Sequence, residues 1–206
     1  MDAVIVIGYN YHFNENDFIN KYVIGVDKGA LYCLENNIKM DCAIGDFDSI
    51  DEKSYIEINK ITKVIKLNPI KDETDTQEAL KLCKNMDSIT IVGGILGKRI
   101  EHFYANLLLL KKYSNLYIKD DYSLIMTSNK SITIEKNEYK YISIFSIDPD
   151  TNINLNGFKY NLKDYNLSPD CLLGISNEII ENKATLSLKS GKIILFFTKE
   201  DNEVLR

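Results

Sequence analysis

The amino-acid sequence predicts an α/β fold, a mostly parallel sheet with helices on both faces, followed by a smaller all-β sandwich. Three observations carry this expectation. Up to about Thr127, short aliphatic runs alternate with stretches of helical periodicity, as in repeated strand-helix-strand units. Beyond that point helical periodicity disappears and short alternating segments take over. The 206 residues, 45% of them hydrophobic, are enough for packed cores. The expected division is an α/β domain over 1–126 and a β-sandwich over 127–206, with no low-complexity linker between them.

Ala3 to Ile7 is a continuous apolar run, as a strand buried on both faces requires, and Gly8 ends it. Tyr22 to Val26 reads as a second strand, followed by a helix through Leu31 and Leu34 that stops at Asn36-Asn37. Cys42 to Gly45 and Val64 to Leu67 are the third and fourth strands. Thr74 with Gln77 three residues later fits a capping box, which starts a helix at Asp75. Its apolar positions Ala79, Leu82, Cys83 and Met86 recur at helical spacing. Ile89 to Val92 is a fifth strand, Glu101 to Lys112 a helix and Leu116 to Ile118 a sixth strand, which completes a Rossmann-like sheet. In the second domain, strands are expected at Ser131 to Ile134, Tyr141 to Phe145, Phe158 to Leu162, Ala184 to Leu188 and Ile193 to Phe197. Ser190-Gly191 reads as a hairpin turn between the last two.

A net charge of -5 leaves no excess of Lys and Arg to neutralise a phosphate backbone, so no nucleic-acid partner is expected. No apolar run approaches the roughly 20 residues that cross a bilayer, and the N-terminus has no basic leader, so the expectation is no membrane partner and a cytoplasmic location. Cys33, Cys42, Cys83 and Cys171 are scattered among apolar neighbours and read as reduced core thiols. With only His12 and His102 available, a zinc centre is disfavoured.

Ligands of open parallel sheets bind beyond the carboxyl ends of the strands, and four segments fall there. Asp27-Lys28-Gly29, Asp46-Phe47-Asp48 and Asp72 to Asp75 supply carboxylates, hard oxygen ligands that suit Mg²⁺. If the backbone stays extended past Gly45, Asp46 and Asp48 face one point. Gly93 to His102 supplies backbone amides, Gly94 among them, with Lys98, Arg99 and His102, all suited to phosphate oxygens. The bland readings remain open beside these: a solvated Asp-Ser loop, an Asp75 that only complements its helix dipole, and a tight glycine turn. Gly93 and Gly97 are too close for a Walker A loop, and the segment is not G-x-G-x-x-G.

The strings Gly25-Val26-Asp27-Lys28-Gly29-Ala30, Ile44-Gly45-Asp46-Phe47-Asp48-Ser49-Ile50, Asp72-Glu73-Thr74-Asp75, Gly93-Gly94-Ile95-Leu96-Gly97-Lys98-Arg99-Ile100-Glu101-His102 and Gly174-Ile175-Ser176-Asn177-Glu178 resemble, in this order, the thiamine pyrophosphokinase family. The resemblance spans nearly the whole chain and implies an α/β half that binds ATP and a β-sandwich half that binds thiamine. It also implies a homodimer with thiamine between subunits. The implied reaction moves a pyrophosphoryl group from ATP, the co-substrate, to thiamine and releases AMP. By the same resemblance Asp46, Asp48 and Asp75 hold Mg²⁺ on the phosphates, with Asp27, Asp72 and Thr74 nearby. Arg99 and His102 lie near the phosphates or the acceptor, and Ser176 and Asn177 meet the aminopyrimidine. Lys28, Leu31 and Glu101 depart from the family's usual Gly, Asn and Asp. The alternatives are a pyrophosphokinase for another heterocyclic alcohol, such as a pterin, and a non-catalytic nucleotide- or thiamine-binding module.

Overall fold

The computed structural model describes residues 1–8, 11–95 and 99–200. Two compact units divide the chain, the first formed by Met1–Leu109 with Asn115–Asp121 and the second by Leu110–Ser114 with Tyr122–Arg206.

In the first unit the strands are β1 (Ala3–Val6), β2 (Tyr22–Val26), β3 (Cys42–Gly45), β4 (Lys63–Lys66), β5 (Ile89–Val92) and β6 (Leu116–Lys119). They lie in the order β4-β3-β2-β1-β5-β6, and every pair of neighbours is parallel. Helices α1 (Lys28–Glu35), α2 (Glu52–Ile61) and α3 (Asp75–Leu82) connect them, and α4 (Ile100–Lys112) follows β5. The chain steps outward from β1 to β4, then returns to place β5 against the other side of β1. Right-handed crossovers put helices on opposite faces when the direction of travel reverses. The packing agrees: Val4, Val6, Val23 and Ala43 share a core cluster with Ala30 and Cys33 of α1 and Ile58 of α2. The opposite-facing Ile5, Ile24 and Ile44 are fully buried, and α3 packs on β1, β2 and β3.

Local chemistry sets the helix ends. Thr74 accepts from the Gln77 amide at 3.2 Å while Gln77 Oε1 accepts from the Thr74 amide at 3.0 Å, the capping box expected from the sequence. Asn36 and Asn37 end α1, Asn37 in the left-handed region at φ 54°. Helix α2 is not among the elements expected. It is capped by Asp51, but only Ile58 is buried, so its apolar periodicity is too thin to read.

The second unit contains β7 (Ser123–Ser128), β8 (Ile132–Glu135), β9 (Tyr139–Ser146), β10 (Thr151–Asn156), β11 (Leu162–Leu167), β12 (Lys183–Ser190) and β13 (Ile193–Lys199). All their pairings are antiparallel, in the runs β7-β13-β9 and β11-β10-β12-β8. One core joins the two runs: Ile144, Ile193 and Leu195 from the first, Ile153, Leu155 and Leu186 from the second, with Phe158 fully buried among them. This is a sandwich with polar residues alternating outward.

Four expectations need correcting. Parallel pairing is confined to the first unit, so "mostly parallel" is too narrow for a chain whose sheets are mixed in direction. Ser190-Gly191 is not a hairpin, because β12 pairs with β10 and β8 whereas β13 pairs with β7 and β9; the turn carries the chain from one layer to the other. Phe158 opens no strand, because Gly157 turns the backbone at φ 82° and Asn161 captures the Phe158 amide. The expected boundary at 126/127 falls inside β7, whereas the compact units divide between Asp121 and Tyr122.

Candidate active site

Beyond the ends of β2 and β3 the chain makes two unusual turns. Asp27, first residue after β2, has φ 46° and ψ -118°, a conformation that costs a non-glycine residue about 1–3 kcal/mol and marks functional sites. It stands at the N-cap of α1 but does not cap it: its Oδ1 accepts instead from the Phe47 amide at 3.2 Å, tying the two turns together. Gly45 makes room for this bond, because a Cβ there would lie 1.9 Å from Asp27 Oδ1.

The extended backbone supposed beyond Gly45 is absent. Phe47 turns into the left-handed region at φ 59°, is buried, and packs on Tyr55 of α2 at 5.3 Å between ring centroids. This anchored ring pins the loop and leaves the acids on either side in different surroundings. Asp46 is half-buried and its Oδ1 accepts from the Asp48 amide at 3.1 Å, whereas Asp48 is exposed.

Asp75 arrives at the first turn of α3, where the helix dipole favours a carboxylate. Burial, then the Asp75 charge, with the nearby Asp75 carboxyl and the Asp46 charge adding to it, push Asp27 up to about 7; the Phe47 amide pulls the other way. Asp75 Oδ1 is buried with no hydrogen-bond partner. Lys71 Nζ stands 2.8 Å from it, a charge contact without the direction of a hydrogen bond. Thus Asp27, Asp46, Asp75 and Lys71 form one electrostatic cluster, with Asp72 exposed beside it.

At the end of β5 the backbone turns through Gly93 and Gly94, with φ of 83° and 76°. A Cβ on Gly94 would lie 2.6 Å from the Ile7 side chain, and one on Gly93 would lie 3.3 Å from the Gly8 carbonyl, so the turn beyond β1 and β5 leaves little room for side chains at 93 and 94. This is where the strand order reverses, the usual ligand site of open α/β sheets. At the start of α4, Arg99 is exposed with its Nε 3.0 Å from Glu101 Oε1, and His102 Nε2 lies 3.8 Å from the same oxygen. Lys98 lies outside the described residues.

In the second unit Ser176 is exposed at φ 52°, and its amide donates to Ser143 Oγ at 3.0 Å. Its neighbour Asn177 is 2% exposed and already committed. Asn177 Oδ1 accepts from the Tyr160 and Glu178 amides, each at 3.0 Å, and Nδ2 donates to the Tyr160 carbonyl at 2.8 Å. It staples a loop, and Ser176 is the member of the pair that faces outward.

Among the described residues no three Asp, Glu, His or Cys side chains form a metal cage of their own. A hard cation that takes one or two carboxylates and completes its shell with phosphate oxygens needs none. The buried, hydrogen-bond-free Asp75 Oδ1 and an all-oxygen donor set fit such an ion.

The family model "Thiamin pyrophosphokinase, catalytic domain" matches residues 18–120, and "Thiamin pyrophosphokinase, vitamin B1 binding domain" matches residues 129–193. The chain is 38% identical over 182 residues to the thiamine pyrophosphokinase of Bacillus subtilis, across 84% of this chain and 85% of that protein. The chain belongs to the thiamin pyrophosphokinase family. A crystal structure of Bacillus subtilis thiamine pyrophosphokinase superposes with a TM-score of 0.87 at 32% identity, covering 98% of this chain and 100% of that one. A thiamin pyrophosphokinase family protein of Enterococcus faecalis gives 0.85 at 28% identity, covering 98% and 100%. Within this thiamin pyrophosphokinase fold the carboxylate cluster falls in the catalytic-domain match, and Ser176 and Asn177 fall in the vitamin B1 match. Sequence reasoning did not single out Lys71 or Phe47 for the site. The signal for Phe47 was present, an aromatic residue between two acids, but Lys71 looked like one more charge in a polar run.

Proposed function

We infer that the chain transfers the pyrophosphoryl group of ATP to the hydroxyl of thiamine, giving thiamine diphosphate and AMP. The observation that carries this reading is the matched catalytic region in which Asp27, Asp46 and Asp75 converge beyond the strand ends. The thiamine oxygen bonds to the β-phosphorus, the bond from that phosphorus to the bridging oxygen of AMP breaks, and the hydroxyl proton is released.

Such a transfer asks the protein mainly for positioning and charge neutralisation. Asp46 and Asp75, with Asp27 behind them and Asp48 on the exposed side of the loop, are the residues that would hold Mg²⁺. Bound there, the ion would offset charge on the phosphate oxygens. The amides of the Gly93-Gly94 turn and the N-terminus of α4 favour phosphate oxygens. Arg99, exposed there, supplies positive charge against the group in transit, and His102, also exposed, offers a ring nitrogen for hydrogen bonding. Ser176 contacts the aminopyrimidine, while Asn177 holds the loop that presents it.

The enzyme works as a cytoplasmic homodimer that shares thiamine between copies. The exposed apolar side chains of Tyr160, Leu172, Leu173, Ile175 and Ile180 on the second unit support a partner surface there. The test is direct: incubation with MgATP and thiamine yields AMP. Asp46→Asn or Asp75→Asn reduces turnover by about 100-fold or more while the circular dichroism spectrum is unchanged. AMP release at the normal rate from Asp75→Asn would remove the metal assignment.

A further inference from the structure

One cation already sits inside the acidic cluster. Lys71 is only 18% exposed, unusually low for a lysine ahead of a helix, and its ammonium is held between Asp75 Oδ1 at 2.8 Å and the Asn68 carbonyl at 3.3 Å. It points toward the acids, and the charges of Asp75, Asp46 and Asp27 all act on it. The oxygen it faces is the buried Asp75 Oδ1 that no hydrogen bond satisfies. An ordinary exposed pair four residues apart adds little to stability and touches no third charge. This one is partly buried, touches Asp75 and is acted on by the charges of Asp46 and Asp27, a position a divalent cation would also favour.

We propose that Lys71 is a built-in counter-ion of the acidic cluster, and that its ammonium and a divalent metal ion are alternative partners of Asp75. The inference rests on the metal reading given above. It assigns Lys71 a positioning role: the lysine keeps the carboxylates together before nucleotide arrives and sets how readily the metal binds without it. Two cations close to one carboxylate oxygen repel each other, so metal binding displaces the ammonium and is weakened by the displacement. Free metal is thereby disfavoured relative to metal delivered with phosphates, which bring the negative charge the displaced lysine can meet.

The test uses the full chain without nucleotide, titrated with Mn²⁺ alone while free Mn²⁺ is followed by electron paramagnetic resonance. Lys71→Met keeps the side-chain stem and removes the charge; it is expected to bind Mn²⁺ about tenfold more tightly than the wild type. Lys71→Arg is expected to stay near the wild type, and Asp75→Asn to lose binding. In melting experiments Lys71→Met unfolds at lower temperature than the wild type in chelator, and saturating Mn²⁺ closes the gap. Lys71→Gln repeats both measurements should the methionine variant not fold. Unchanged or weaker Mn²⁺ binding by the charge-removed variant overturns the role of Lys71, and the metal reading survives if Asp75→Asn has still lost binding. Equal binding by Asp75→Asn and the wild type overturns both.

Discussion

At the scale of single residues, Asp27 is the carboxylate under most strain. Beyond its positive φ, burial and then the neighbouring Asp75 charge push its carboxyl up to about 7, against 3.8 ordinarily. At this residue the folded state therefore binds more protons than the unfolded state between these values, and its contribution to stability falls as pH rises from 3.8 to about 7. Asp27→Asn keeps an acceptor for the Phe47 amide and has no charge to lose. Urea titrations in chelator at pH 4.5 and 8 are expected to show a smaller decline for the variant than for the wild type, and an equal decline would exonerate Asp27. Asn177 poses the opposite case, a polar residue wholly consumed by structure. Asn177→Ala strands the Tyr160 and Glu178 amides and is expected to cost about 2–3 kcal/mol in urea unfolding. Ser176→Ala, in contrast, leaves the urea midpoint in place and raises KM for thiamine.

At the scale of elements, the accuracy of the site depends on how helices begin. Helix α3 has only eight residues, too short to stand alone, and its capping box fixes the residue at which it starts. That residue is Asp75, so the cap and the carboxylate are one device. Thr74→Ala removes half of the box and is expected to lower stability by about 1 kcal/mol, read from the urea midpoint. Turnover is expected to fall further than this small loss explains, because the first turn frays and Asp75 loses its place. A variant with normal turnover would show that Asp75 is positioned from elsewhere. The C-terminal end of α4 is satisfied differently: Lys192 donates to the carbonyls of Leu110 at 3.3 Å and Lys111 at 2.8 Å, and Thr127 Oγ1 donates to Leu110 at 3.1 Å. These are the last carbonyls that no helical turn can pair.

Over the whole molecule, what could be read in advance follows from how local each signal is. Buried parallel strands are continuous aliphatic runs, so β1, β2, β3 and β5 were plain, and Thr74 announced α3 through chemistry confined to four residues. Strand β10 hid because its outward positions are Asn152, Asn154 and Asn156, a poor strand former at every second place. The course of the chain at Ser190-Gly191 was hidden for a different reason: which layer receives β13 is decided by its pairing with β7 and β9, far away in sequence. The acids were legible as a set because each follows a strand or opens a helix. Their sharing out was not, since the left-handed turn at Phe47 and the intrusion of Lys71 exist only once the turns are brought together. Position 45 shows what such closeness entails over evolutionary time. The Asp27 carboxylate fills the space a side chain would need, and φ 155° strains any L residue there, so a methyl at 45 stays inadmissible even after residue 27 has shortened and a lineage altering 45 passes through a crippled ancestor.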